Sequence, residues 1–181
     1  MALPTLVLAD GMTVKDLDDI DDDGRFYELS YGSLIVTPAP SIQHQSLLSA
    51  VIVCLGARLP SSMRLLPEAD LLLGEDLVKR PDAMVVRSDQ VGGQRVAGAP
   101  LLVVEILSPS TRALDLGEKR LVYAESAVPA YWLVDPDAET LTVLELEGRE
   151  YNERRVLGVD DEHDVTLPFP MTVRGADIFI R

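Results

Sequence analysis

Apolar and polar positions change their period several times along this chain, and each change marks a predicted element. From Arg25 to Val36, two short apolar-polar alternations flank Gly32, the pattern of a β-hairpin. Pro38 and Pro40 stop it. Ser41 then stands as an N-cap, and Leu47, Leu48, Val51, Ile52, Leu55 and Leu59 recur at helical spacing as far as Pro60, which predicts an amphipathic helix. Leu65 to Leu73 predicts a third strand. Pro81 opens a fourth, Asp82 to Val86, because proline is tolerated at a strand's first residue, and a polar loop with Gly92, Gly93 and Gly98 follows.

Leu101 to Leu107 is apolar on both faces except for Glu105, as expected of a central strand covered on each side. Ser108-Pro109-Ser110-Thr111 breaks it. Asp115 with Glu118 reads as a capping box for a helix running to about Ser126, with Lys119 and Tyr123 one turn apart. Ala130 to Asp135 is the next strand and Pro136-Asp137 its turn. Leu141 to Leu146 and Tyr151 to Val156 alternate like an exposed meander, before a short C-terminal strand. The expected architecture is α/β (α+β): a mixed central sheet flanked by helices, with an N-terminal β-hairpin and a C-terminal β meander. Residues 25–181 would form a single domain behind an acidic arm, residues 1–24.

Composition supports a packed domain, since 181 residues of which 47% are apolar can bury a real core. Cys54 is the single cysteine, which forbids an intrachain disulfide and fits a reducing cytoplasm. The first ten residues lack the basic start of a secretory leader, and no apolar run approaches the ~20 residues of a membrane span. Net charge is −14, a balance that repels phosphate at long range. The excess sits at the ends: residues 1–30 carry eight acids and two bases, whereas residues 80–135 carry seven acids and six bases. A local site for an anionic substrate is therefore permitted in the middle of the chain.

That middle holds the strongest chemical signal. A carboxylate at Glu105 inside an apolar strand costs several kcal/mol unless a cation pairs with it. If Val86 stands opposite Leu101 in an antiparallel pair, Asp82 stands opposite Glu105, with Cβ atoms roughly 4.5–5.5 Å apart, where like charges repel unless a cation lies between them. Hard oxygen donors without thiolate or imidazole suit Mg²⁺ or Mn²⁺, and the backbone carbonyl of Ile106 is placed to add to the shell. The plainer alternative is a structural ion pair between Glu105 and an arginine. Lys119, in the row of Asp115 and Tyr123, is suited to steady negative charge building beside a metal; the plainer reading is a solvated helix lysine. His44, early in the first helix, and Glu28, central in the hairpin, are candidate bases or groups that orient the ligands.

Two motifs are set aside. Asp19-x-Asp21-x-Asp23-Gly24 opens like a calcium loop, but its twelfth position is Ser30 where a bidentate glutamate is required. Trp132 alternates with apolar residues and Cys54 lies in an apolar helix, so both read as core.

The run Arg80-Pro81-Asp82-Ala83-Met84-Val85-Val86, then Leu102 to Thr111 with Glu105-Ile106-Leu107-Ser108-Pro109-Ser110-Thr111, then Asp115, Lys119, Tyr123 and Tyr131-Trp132-Leu133-Val134-Asp135-Pro136, resembles the Uma-type restriction endonuclease family across roughly residues 25 to 180. Tyr27-Glu28-Leu29 and His44 also fall where that family has its N-terminal signature. The resemblance implies the PD-(D/E)xK nuclease fold, with Mg²⁺ supporting phosphodiester hydrolysis of nucleic acid, DNA above all. Asp82 and Glu105 would be the metal-binding acids. The superfamily usually places its lysine two residues after the second acid; here that residue is Leu107, so Lys119 would substitute. Ala127 and Ala130 depart from the family pattern, standing where it tends to have glycine and glutamate. The alternative to a nuclease is a non-catalytic binding or assembly module on the same scaffold, favoured by the charge of −14. Either would be compatible with a homodimer.

Overall fold

The computed structural model describes residues 6–21 and 23–179, with side chains from residue 9 onward. Residues 1–5, where most of the leader reading falls, and Asp22 of the acidic turn lie outside the described residues. In chain order the strands and helices are β1 (Leu6–Ala9), α1 (Val14–Asp18), β2 (Phe26–Ser30), β3 (Ser33–Thr37), α2 (Ile42–Gly56), β4 (Met63–Pro67), β5 (Leu71–Gly74), β6 (Leu77–Lys79), β7 (Ala83–Arg87), β8 (Val96–Ala97), β9 (Leu102–Ile106), α3 (Arg112–Leu116), α4 (Glu118–Glu125), β10 (Ala130–Asp135), β11 (Thr140–Glu147), β12 (Glu150–Leu157), β13 (Glu162–Val165) and β14 (Met171–Arg174).

One six-stranded sheet has the order β12-β11-β10-β9-β7-β4 and is mixed: β9 and β10 are parallel, while β7 and β9 are antiparallel. The parallel pair requires a crossover, which α3 and α4 provide. A second sheet, β1-β3-β2-β6-β5-β8, contains the β2–β3 hairpin. Its turn, Tyr31 at φ 48° and Gly32 at φ 81°, has two successive positive φ values, the twist that joins adjacent strands tightly. None of the described helices is long and apolar enough to cross a membrane.

Alternation divides the core in two. Val104 and Ile106 of β9 with Ala83 and Val85 of β7 face α2 and the C-terminal segment, where Leu47, Val51, Leu55, Trp132 and Phe179 pack. Val103 and Leu107 with Met84 and Val86 face α4, against Val122, Tyr123 and Tyr131. By the same parity Asp82 and Glu105 belong to the α4 side.

Several elements differ from their sequence expectation. The expected strand Leu65 to Leu73 is two strands, β4 and β5, in different sheets; Glu68 between them takes φ 46° and turns the chain. The acidic arm enters the fold: β1 pairs with β3, and Leu17 of α1 is buried against Leu29, Leu34 and Val78. Helix α2 ends at Gly56, short of Leu59. No capping box forms at Asp115. The segment is two short helices that meet at Gly117, and Asp115 is buried in the first of them. The short C-terminal strand is a pair, β13 with β14. Trp132 and Cys54 are core residues as expected, 0% and 5% exposed.

Ala127, which departs from the family pattern, has φ 59°. A Cβ in that left-handed region costs roughly 1 kcal/mol, so Ala127→Gly is expected to raise stability by up to about that amount, less the entropy glycine adds to the unfolded chain. Urea unfolding measures it; a lower midpoint would refute the strain at this turn.

Candidate active site

The strand pair that the sequence points to sets the geometry. Ala83 lies opposite Val104, Met84 opposite Val103 and Val85 opposite Leu102, which is the expected register and carries Asp82 to the side of Glu105. Asp82 sits one residue before β7, and its Oδ2 accepts the backbone N–H of Ile106 at 2.6 Å. Ile106 thus meets Asp82 through its amide. The other oxygen, Oδ1, lies 3.2 Å from His44 Nε2. Ser41 caps α2 by accepting the His44 N–H at 3.2 Å, so the first turn of the helix presents the imidazole to the acid.

Glu105 is 2% exposed at the centre of the sheet. Its Oε1 accepts from Lys119 Nζ at 3.0 Å and from the Tyr123 hydroxyl at 2.7 Å, both from α4 one turn apart. The cation is a lysine, not the arginine that a simple structural pair suggests. Lys119 serves more than one acid, with Asp115 Oδ1 at 3.3 Å and Glu28 Oε1 at 3.5 Å. Asp115 is 1% exposed, so Lys119 meets its carboxylate in the interior. Glu28 also receives the Arg80 N–H at 3.2 Å.

The electrostatics follow from one cation shared among several carboxylates. Burial works against the Lys119 ammonium, but Glu105, Glu28 and Asp115 outweigh it and hold its pKa well above the usual lysine value. The acids gain only a share each. Burial pushes Glu105 well above the usual carboxylate range against the pull of Lys119, with Asp115, Asp82 and Glu28 adding to the rise. Burial raises Asp115 as well. For His44, burial opposes protonation, and the hydrogen bond and charge of Asp82 overcome it, so its pKa is raised. The cluster is therefore short of positive charge.

A raised folded-state pKa means that Glu105's contribution to stability is complete below its unfolded pKa and is lost as pH rises through the folded value. Glu105→Gln keeps an acceptor for Lys119 and Tyr123 but does not titrate. The stability of E105Q relative to the wild type is expected to rise as pH climbs above the ordinary glutamate value; melting curves of the two proteins that stay parallel from acid to alkaline pH would contradict it.

Of the six residues singled out from the sequence, Glu28, His44, Asp82, Glu105 and Lys119 line one cavity of about 210 Å³; Ile106, expected to offer its carbonyl, is not among the lining residues and takes part through its N–H to Asp82. Sequence reasoning missed a second buried lysine beside it. Lys79 is 1% exposed, donates to Ser30 Oγ at 2.9 Å and Glu118 Oε1 at 2.7 Å, and lies 3.9 Å from Glu28 Oε2. Ser30 also donates to Glu118. The signal was Lys79 at the end of the apolar run Leu77-Val78, a charge facing inward before Pro81. Lys79 braces Glu28 from behind, while Lys119 meets its other oxygen.

The donor set can be weighed against a divalent ion. Both bonds from α4 land on Glu105 Oε1, which leaves Oε2 for a ligand in the cavity the residue lines. Asp82 contributes a second carboxylate on the same cavity. Among the described residues, no group of three His, Cys, Asp or Glu is arranged to hold a metal. Two carboxylates in a site short of positive charge fit Mg²⁺ or Mn²⁺, ions commonly held by one or two acids with waters and substrate phosphate completing the shell. The acidic turn around Asp23 shows no such arrangement: Asp23 accepts from the Tyr27 hydroxyl and the Arg25 N–H.

Comparison with known proteins places this geometry. The model of the family described as "Uma2: Putative restriction endonuclease" matches residues 14–177. Among solved structures, the chain is similar in fold to one titled "Crystal structure of a putative nuclease belonging to DUF820 from Anabaena variabilis ATCC 29413", with a TM-score of 0.73 at 20% identity over 93% of this chain and 97% of that chain. No curated protein matches.

Proposed function

Because the chain belongs to the Uma2 restriction endonuclease family, we propose that it is an endonuclease that uses Mg²⁺ or Mn²⁺ to hydrolyse phosphodiester bonds of nucleic acid, DNA in the first place. The observation that carries this reading is the pair Asp82 and Glu105, brought by adjacent strands to one cavity in a cluster with too few cations for its carboxylates.

Asp82 and Glu105 are the residues that would hold the ion, and when bound it supplies an acidified water and positive charge for the phosphoryl oxygens. The chain's own groups do the rest. The Ile106 amide fixes Asp82 Oδ2, and His44 orients Oδ1. Tyr123 and Lys119 fix Glu105. Lys119 is kept protonated by its carboxylates and brings a positive charge to the cavity, where it stabilises a phosphate becoming more negative. The loop Ser108–Thr111, whose hydroxyls bond one another at 2.9–3.0 Å, lines the same cavity.

Purified protein incubated with single- and double-stranded DNA and RNA in Mg²⁺ or Mn²⁺ tests this reading, with internal cleavage as the expected result. The second reading, a binding or assembly module, draws on the net charge of −14 and on Glu105 being already paired with Lys119. Calorimetric titration with Mn²⁺ separates the two: binding heat that disappears in Asp82→Ala supports the nuclease, and no heat supports the module.

A further inference from the structure

We propose that the rim of this cavity carries a nucleobase subsite, made by the ring of Phe26 and the guanidinium of Arg80, which takes an unstacked base next to the scissile phosphate. The inference rests on the nuclease reading and names its substrate class: single-stranded nucleic acid or an extruded nucleotide, not a regular duplex.

Phe26 opens β2 and is 41% exposed, although Leu29 on the same strand is fully buried. The Phe26 ring belongs to the lining of the cavity. Arg80 lies over one face of the ring, with Cζ 4.4 Å from the ring centroid. Both residues line the same cavity as Asp82 and Glu105.

The guanidinium is held in place by a chain of alternating charges. Its Nε donates to Asp70 Oδ1 at 2.6 Å. The other Asp70 oxygen lies 3.5 Å from Arg95 Nε, and Arg95 Nη1 lies 2.6 Å from Asp18 Oδ1. Asp70 thus neutralises Arg80 without using its terminal amino groups, so the side chain is a pre-set plane with donors at its edge more than a free phosphate clamp. Planar cations and aromatic rings are the surfaces on which splayed bases stack.

Spacing links the platform to the acids. Phe26 and Glu28 are two residues apart on β2, so they share a face about 7 Å apart along the strand. Glu28 touches Lys119, which touches Glu105. Pro38 and Pro40 add apolar surface to the lining of the same cavity. A base inside an intact duplex is already stacked on its neighbours and cannot reach such a shelf without being flipped out.

The test uses an oligonucleotide carrying the fluorescent base 2-aminopurine, mixed with wild type, Phe26→Ala and Phe26→Trp in Mn²⁺. Fluorescence is read at mixing, before turnover, and cleavage is followed on the same sequence as single strand and as duplex. Stacking on the platform is expected to quench the probe with wild type and F26W. In F26A the quench should be lost and KM should rise about tenfold with kcat little changed. The single strand should be cut at least tenfold more efficiently than the duplex. Unchanged quench and KM in F26A, or preferential cutting of duplex, would overturn the subsite while leaving the nuclease reading in place. Failure of the wild type to cleave any nucleic acid would instead overturn the nuclease reading, and the subsite with it.

Discussion

Asp82→Asn and Glu105→Gln are each expected to reduce metal-dependent phosphodiester cleavage by about a thousandfold or more. Charge stabilisation by a bound divalent ion is worth several kcal/mol in the transition state, and each ~1.4 kcal/mol is a factor of ten in rate. Either amide leaves one anionic ligand in place of two. Both are chosen to spare the fold: Asn at position 82 can still accept the Ile106 N–H, and Gln at position 105 can still accept from Lys119 and Tyr123. Initial rates of cleavage at saturating Mg²⁺, with melting temperatures as the folding control, make the measurement. Variants that melt normally and still cut at the wild-type rate would show that these acids do not hold the metal.

The largest stability effect is expected at Lys119. Its side chain is 5% exposed, and removing it leaves Glu105, Asp115 and Glu28 facing one another with no cation at contact distance from the first two among the described residues. Breaking a buried ion pair from one side typically costs about 3–5 kcal/mol. For a chain of this length each kcal/mol moves the melting temperature by roughly 2–4 °C, so Lys119→Met should melt about 10 °C lower. The direction of its pH dependence follows from the raised carboxylates: Glu105 and Asp115 take up protons as pH falls, so the deficit is greatest at alkaline pH and shrinks on acidification. Combining K119M with Glu105→Gln removes one of the stranded charges and should recover part of the loss. Calorimetric melting at pH 5 and pH 8 decides the matter. A K119M protein as stable as wild type at pH 8 would mean that the lysine compensates nothing.

These two expectations draw on different amounts of information in the chain. The Asp82 and Glu105 pairing was legible because strand parity and a single connecting loop are local facts: one apolar run ends at Val86, another begins at Leu101, and an antiparallel pair between them leaves little choice of register. The partners of Glu105 were only half legible. Asp115, Lys119 and Tyr123 share a row at helical spacing, but Gly117 breaks the helix between the first two, and the aim of that row at β9 depends on the crossover.

Residue pattern alone determined the hairpin about Gly32, the Ser41 cap and the helix after it, the buried run around Glu105, the β11–β12 meander and the burial of Trp132, because turn chemistry and periodicity act over a few residues. Only the tertiary structure decided that Leu65 to Leu73 divides between two sheets, that the acidic arm supplies β1, and that Lys79 reaches Glu28 from 51 positions away to brace it against Lys119. Those outcomes depend on which distant surfaces find each other, and on how few cations must be shared among the buried acids; neither is written in any short window of the chain.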